Sequence, residues 1–277
     1  MCTLIIGRDV LGEGTMILAA NRDEDPRRPT DPPGVLSQHP RVIGGRDRLA
    51  GGTWLAVRER RAVVAMLNRR DQSGEPAARA EDRRSRGLLA IDVAKVQNHG
   101  GGPEKGGMAA SATAYAATLS ELALDHAIHA VARDRYAPFS LVFASPASCW
   151  WLAHEGAGPP RHAGVPSGWH VLTHMDLDDP REPRTARLIG ELDGFRPRSL
   201  DQALDRVGEL LRSHGASEPP APPVCLHEGR MVTVSASLVW LTEGQARYLH
   251  AEGRPCENPF ADHSQLLGGH VPAADTR

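Results

Sequence analysis

Residues 1–24 read MCTLIIGRDVLGEGTMILAANRDE. Two short apolar runs, CTLIIG and TMILAAN, flank RDVLGEG, whose two glycines suit a turn, so the stretch predicts an antiparallel hairpin. The turn's centre decides what faces Cys2. Centred between Leu11 and Gly12, it puts Cys2 opposite Asn21; centred between Gly12 and Glu13, it puts Cys2 opposite Asp23. Either register brings the polar run Asn21-Arg22-Asp23-Glu24 to the thiol end, because cross-strand Cβ atoms lie roughly 4.5–5.5 Å apart.

TWLAVRE and RAVVAML predict a second hairpin around Arg60, which returns Gly51-Gly52 to the side of Asn68. Two polar strand ends are then placed to meet. Trp54 reads as a core anchor, and DEDPRRPTDPPG, between the hairpins, is too proline-rich for regular structure. Helices are predicted at RGLLAIDVAKV, SATAYAATLSELALDHAIHAVARD, PRTARLIGEL and SLDQALDRVGELLRSH. Strands are predicted at FSLVFAS, CWWLAHE and WHVLT, and a closing hairpin at MVTVSASLVWL and QARYLHAEG. NHGGGPEKGG and ASEPPAPP read as loops. Strands, then helices, then strands predict an α+β chain of mainly antiparallel sheets with helices packed outside them. One domain over 1–262 is expected, with 263–277 as a frayed tail.

At 277 residues, with 40% hydrophobic and 24% charged, the chain is long and apolar enough to bury one sizeable core. A net charge of −2 gives no pull toward nucleic acid. No run approaches the ~18 apolar residues of a membrane span, and Arg8 and Asp9 interrupt the first apolar run, so a cytoplasmic protein is expected. Cys2, Cys149, Cys225 and Cys256 are widely spaced without a CxxC pair, which argues against a disulfide framework or a zinc site. Asp125, His126 and His129 share a helix face at metal-pair spacing, but most such sets are surface residues. No metal or cofactor is expected.

The chemistry centres on Cys2. With Met1 removed, the residue carries a thiol (pKa about 8.5) and a free amine (about 7.7–8.0). The amine can take the thiol proton, so one residue supplies nucleophile and base. Asp23 is placed to hold that amine, and backbone N–H groups near Asn68, or a polar side chain from another strand, are placed to stabilise an oxyanion.

NRDEDPRRP at 21–29 matches the pattern N-R-D-E, three variable residues, R-P, and GGRDRLAGGTWLAV (44–57) and SRGLL (85–89) follow in order. With MC at its start, the chain resembles the NRDE family, also called the transport and Golgi organisation protein 2 family. YAPFSLVFAS and GWHVLTHMDLDDPREPRTARL extend the resemblance more weakly. That family is similar to cysteine-type N-terminal nucleophile hydrolases such as penicillin acylases and bile-salt hydrolases. The resemblance implies a four-layer αββα sandwich and C–N hydrolysis of a small amide, with Cys2 as nucleophile, Asp23 orienting its amine, and the Asn68 region with His174 holding the oxyanion. Asn21, Arg22, Glu24, Gly52 and Thr53 would buttress the site or touch a small-molecule substrate.

Two departures from the family stand out. His174 replaces an asparagine, and Val234 replaces an arginine whose charge would orient the nucleophile. These substitutions motivate an alternative, a non-catalytic carrier of haem, lipid or an acyl thioester on the same scaffold. A metal-dependent hydrolase using the scattered histidines is the weakest reading.

Overall fold

The expected first hairpin forms from Thr3–Arg8 (β1) and Met16–Glu24 (β2), with Thr3 opposite Asn21 and Arg8 opposite Met16. Its turn centres on Gly12, whose φ of 117° is open to glycine and strained for other residues. That odd-numbered turn is neither of the two registers predicted. Continued by one residue, the pairing sets Cys2 beside Arg22. Because side chains alternate, the shift also sends Asn21 and Asp23 to the opposite face of β2.

The computed structural model describes residues 2–70, 82–97, 112–215 and 222–268, with backbone only at 112–116. The predicted loop at 98–107, residues 216–221 of the predicted loop at 216–223, and the chain beyond 268 lie outside those residues. One sheet has the order β10-β1-β2-β11-β12-β13, in which β10 is Gly168–Leu172, β11 Val232–Thr242, β12 Gln245–Glu252 and β13 Ala261–Asp262. The other runs β3-β4-β5-β6-β7-β8-β9: Thr30–Gln38, Arg41–Asp47, Leu55–Arg58, Ala62–Asn68, Phe139–Ser145, Ser148–His154 and Arg161–Gly164. All named pairings are antiparallel.

The strands are apolar on both faces because both faces are covered. Leu4, Ile6 and Leu18 meet Leu55, Val63 and Val142 between the sheets. Ile5, Ile17 and Ala19 face the helices α3 (Pro183–Leu192) and α4 (Leu200–Arg212). Val64, Leu141 and Phe143 face α1 (Arg86–Lys95) and α2 (Ala112–Arg133). The result is four layers, αββα. Local chemistry sets the helix ends. Glu182 caps α3 by accepting from Thr185 N at 2.7 Å ahead of Pro183, and Ser199 caps α4 by accepting from Gln202 N at 3.2 Å.

Two expectations need correction. The proline-rich stretch does pair: β3 is an edge strand with a register shift between Asp31 and Gly34, spanning Pro32 and Pro33. An edge strand tolerates the missing N–H donors. The first residues of the expected tail are ordered. Ser264–Leu267 forms a 3-10 turn, with Ser264 Oγ accepting from Tyr248 N at 2.9 Å and Leu267 buried.

Candidate active site

The ends of β1, β2, β5 and β6 and the start of α1 surround a cavity of about 800 Å³. Cys2, Arg22, Asp23, Glu24, Gly52, Thr53 and Asn68 all line it, so the two predicted polar strand ends do meet. The second hairpin turns on Arg60 as expected, with Leu55 opposite Ala65. Asn68 ends β6 opposite Phe139. The next residue, Arg69, is buried and locks that end by donating to Met175 O (2.8 Å) and Asp176 (2.7 Å).

Cys2 is partly exposed, with Sγ 3.8 Å from the carbonyl oxygen of Asp23. Burial and then the Asp23 charge push its thiol pKa up, while the Asp23 backbone contact and the Arg22 charge pull the other way. A raised thiol is poorly nucleophilic until a base takes its proton. Asp23 is buried; its Oδ1 accepts from Thr233 Oγ1 at 2.7 Å, and its Oδ2 lies 3.6 Å from Arg184 Nη1. Burial raises the Asp23 pKa, with the Thr233 hydroxyl and Arg184 opposing it. Arg184 also donates to Thr3 Oγ1 at 2.9 Å, which ties α3 to the residue after Cys2.

A cation does lie beside Asp23, but it comes from α3 and not from position 234. Val234 is the unpaired residue of a bulge, since Thr233 pairs with Asp23 while Ser235 pairs with Arg22. The bulge aims Thr233 at Asp23, and α3 brings the charge as Arg184. Spacing along the chain carries no sign of this, because Arg184 lies 161 positions after Asp23.

Other expectations shift. The Asn21 side chain is buried on the helix side and donates to Leu211 O (2.9 Å) and Val224 O (3.1 Å), so it braces the end of α4 and does not line the cavity. His174 is also buried and off the lining. Its Nδ1 has no hydrogen-bond partner among the described residues, and burial lowers its pKa against the pull of Glu182. Trp54 packs against the core between the sheets, as expected, and also forms a cavity wall, with the Arg22 guanidinium 4.2 Å over its ring. The Thr53 hydroxyl bonds locally to Leu55 O at 2.9 Å. Gly52 and Gly87 touch so closely that a Cβ on Gly52 would sit 2.3 Å from the Gly87 carbonyl carbon. Two facing glycines thus let the first turn of α1 sit against the site.

That turn is a feature the sequence reading missed. Ser85, Arg86, Gly87 and Leu88 line the cavity, and Ser85 makes no side-chain capping bond. The positive end of the α1 dipole therefore meets the cavity. Arg22, Arg28, Arg83, Arg84 and Arg86 line it against three carboxylates, Asp23, Glu24 and Asp47. Arg28 is held by Asp47 at 2.6 Å and Arg84 by Asp92 at 2.5 Å, whereas Arg86 donates to Pro138 O at 2.8 Å and feels Cys2 and Glu24. Glu24 lies 3.7 Å from both Arg22 and Arg28. Asp125, His126 and His129 form no ligand cluster; His129 Nδ1 contacts Asp125 O at 2.7 Å.

Comparison with known proteins gives the class first. The structure resembles the N-acylethanolamine-hydrolyzing acid amidase ortholog of Caenorhabditis elegans (TM-score 0.57, 15% identity, covering 86% of this chain and 92% of that one). It also resembles a mutant of the conjugated bile acid hydrolase from Clostridium perfringens (0.51, 11%, 98% and 95%). A third match is penicillin V acylase from Agrobacterium tumefaciens (0.51, 10%, 91% and 83%). The αββα fold is that of the N-terminal nucleophile hydrolases. Residues 1–212 match the Transport and Golgi organisation 2 family, and the chain belongs to that family. No curated protein matches it in sequence. Among the described residues, no helix is long and apolar enough to cross a membrane.

Proposed function

We propose that the protein is a cysteine-type amidohydrolase acting on a small amide that carries an anionic group. The observation carrying this reading is the Cys2 thiol on the wall of an 800 Å³ cavity, beside buried Asp23 and under the arginine-rich turn of α1. Once Met1 is removed, the α-amine of Cys2 takes the thiol proton and Sγ attacks the amide carbon. The amine then passes that proton to the leaving nitrogen as the C–N bond breaks, and water hydrolyses the thioester. Asp23, set by Thr233 and Arg184, holds the amine. Asn68 and the first-turn amides of α1 stabilise the oxyanion, in place of the buried His174. Arg22 and Arg86 attract the substrate's anionic group.

Support also comes from the solved relatives, whose names describe amidase, bile acid hydrolase and acylase activities. The test is turnover of a panel of N-acyl amino acids and neutral amides. Wild type should favour the carboxylate-bearing amides, Arg86→Ala should lose that preference through KM, and Cys2→Ala should turn over none. The position of His174 favours a second reading, a carrier using the same cavity. Cys2→Ala protein that keeps full ligand binding, alongside wild type with no turnover, would select the carrier.

A further inference from the structure

The fold gathers residues the sequence keeps apart. His214 follows α4, Cys225 and His227 precede β11, and Cys256 follows β12. Their four ligand atoms all lie within 4.8 Å of one another. His227 Nε2 is 3.1 Å from His214 Nε2, 3.2 Å from Cys256 Sγ and 3.9 Å from Cys225 Sγ, and the two sulfurs are 3.5 Å apart. A tetrahedral zinc ion with Zn–S of about 2.3 Å and Zn–N of about 2.0–2.1 Å requires S···S of about 3.8 Å, S···N of about 3.6 Å and N···N of about 3.4 Å. These four spacings lie within about 0.4 Å of that set, and the two remaining pairs, His214 with each sulfur, lie within 4.8 Å. A disulfide needs its sulfurs at about 2.05 Å, and both cysteines are free.

We propose that His214, Cys225, His227 and Cys256 form a structural zinc site. The donor set, two thiols and two imidazoles at tetrahedral spacing, is the usual set for structural zinc. Binding releases the two thiol protons, and the two thiolates neutralise the cation. Four protein ligands leave no open position for substrate, so the site is structural.

The surroundings are built for ligation. His227 turns Nδ1 toward Glu257 Oε1 at 3.6 Å, the carboxylate–imidazole arrangement that orients metal-bound histidines. Arg254 anchors that carboxylate at 3.1 Å. Val224 N and Cys225 N both donate to Ser213 O at 2.9 Å, holding the Cys225 strap against the residue before His214. Asn21, of the NRDE motif, donates to the end of α4 and to Val224 O. Leu226, between two ligands, donates its N–H to Thr233 Oγ1 at 2.8 Å, and that hydroxyl in turn donates to Asp23. The metal thus pins the segment that supports the Asp23 partner.

The test is metal analysis of protein purified without chelator. One zinc per chain is expected. Cobalt substitution should give thiolate-to-metal charge transfer and strong tetrahedral absorption. The double variant Cys225→Ser/Cys256→Ser should lose the metal, and Cys149→Ser should keep it. Glu257→Gln should keep the fold and weaken zinc binding about tenfold, which keeps the test decisive if the double variant does not fold. Reduced wild type that takes up no zinc or cobalt, a Cys225–Cys256 disulfide in the purified protein, or a double variant that retains zinc would each overturn the site.

Discussion

Cys2 and the Cys225–Cys256 pair are thiols in opposite surroundings, joined by Thr233. Cys2 stands alone on a cavity wall, with guanidinium groups and a buried carboxylate around it. Cys225 and Cys256 have each other and two imidazoles within ligand distance. The neighbours differ in what they can do: burial and a carboxylate hold Cys2 as a thiol that needs a base before it can attack carbon, whereas soft ligands converging on a point suit thiolates that hold a metal. Thr233 accepts from Leu226 N on the metal side and donates to Asp23 on the other. The two sites are therefore neighbours in hydrogen-bonding terms despite their separation in sequence.

The sharpest way to break the comparison is to remove one thiol at a time. Cys2→Ala should lower amide turnover by at least about a thousandfold, with the thermal midpoint moved little, because Cys2 is partly exposed at the edge of the core and its hydrogen bond to Asp23 O is long, at 3.8 Å. Measuring kcat alongside a melting curve checks both halves. The second effect is on stability. Stripping zinc from the wild type should lower folding stability by about 4 kcal/mol when the reference state holds free zinc a thousandfold above its dissociation constant. Chemical denaturation with and without chelator reads this, and the Cys225→Ser/Cys256→Ser protein should show no chelator effect.

Acid blurs the comparison, because it protonates metal ligands and also a histidine that belongs to neither site. His250 is buried against Ser237 Oγ at 2.9 Å, and burial, reinforced by His263, lowers its pKa to about 4 from the ordinary 6.5. The unfolded chain binds this proton below 6.5 and the folded chain only below about 4. Stability therefore falls with falling pH across that window, by about 3 kcal/mol in all. His250→Gln should remove that slope, leaving whatever acid sensitivity the zinc site contributes; denaturation at several pH values separates the two.

The smallest effect tests the link. Thr233→Val strips the hydroxyl from Asp23 and from Leu226 N, costing about 1–3 kcal/mol. It should lower kcat more than it raises KM, and Thr233→Ser should restore most of both. A Val variant with unchanged kcat would disconnect the two sites.

Much of the scaffold was legible because apolar alternation and glycine turns are local. The hairpins of β1–β2, β5–β6 and β11–β12 and all four helices follow from short stretches. The register of the first hairpin did not, because local sequence does not say whether a glycine-rich turn centres on a residue or between two. A one-residue difference exchanged Arg22 for Asn21 or Asp23 as the neighbour of Cys2. β3 was hidden by prolines that only an edge position tolerates. The Cys2 and Asp23 ends were foreseen from their nearness in one hairpin. Arg184, the α1 turn at Arg86 and the four-residue cluster were not, since each is brought in by helices or loops far along the chain.

The most direct measurement is intact mass and peptide mapping after treatment with a thiol-directed, amide-type electrophile. The expected result is protein lacking Met1 with a single adduct on Cys2, and Cys225 and Cys256 modified only after chelation. Turnover by protein that retains Met1, or an unmodified Cys2 in protein that hydrolyses amides, would contradict it.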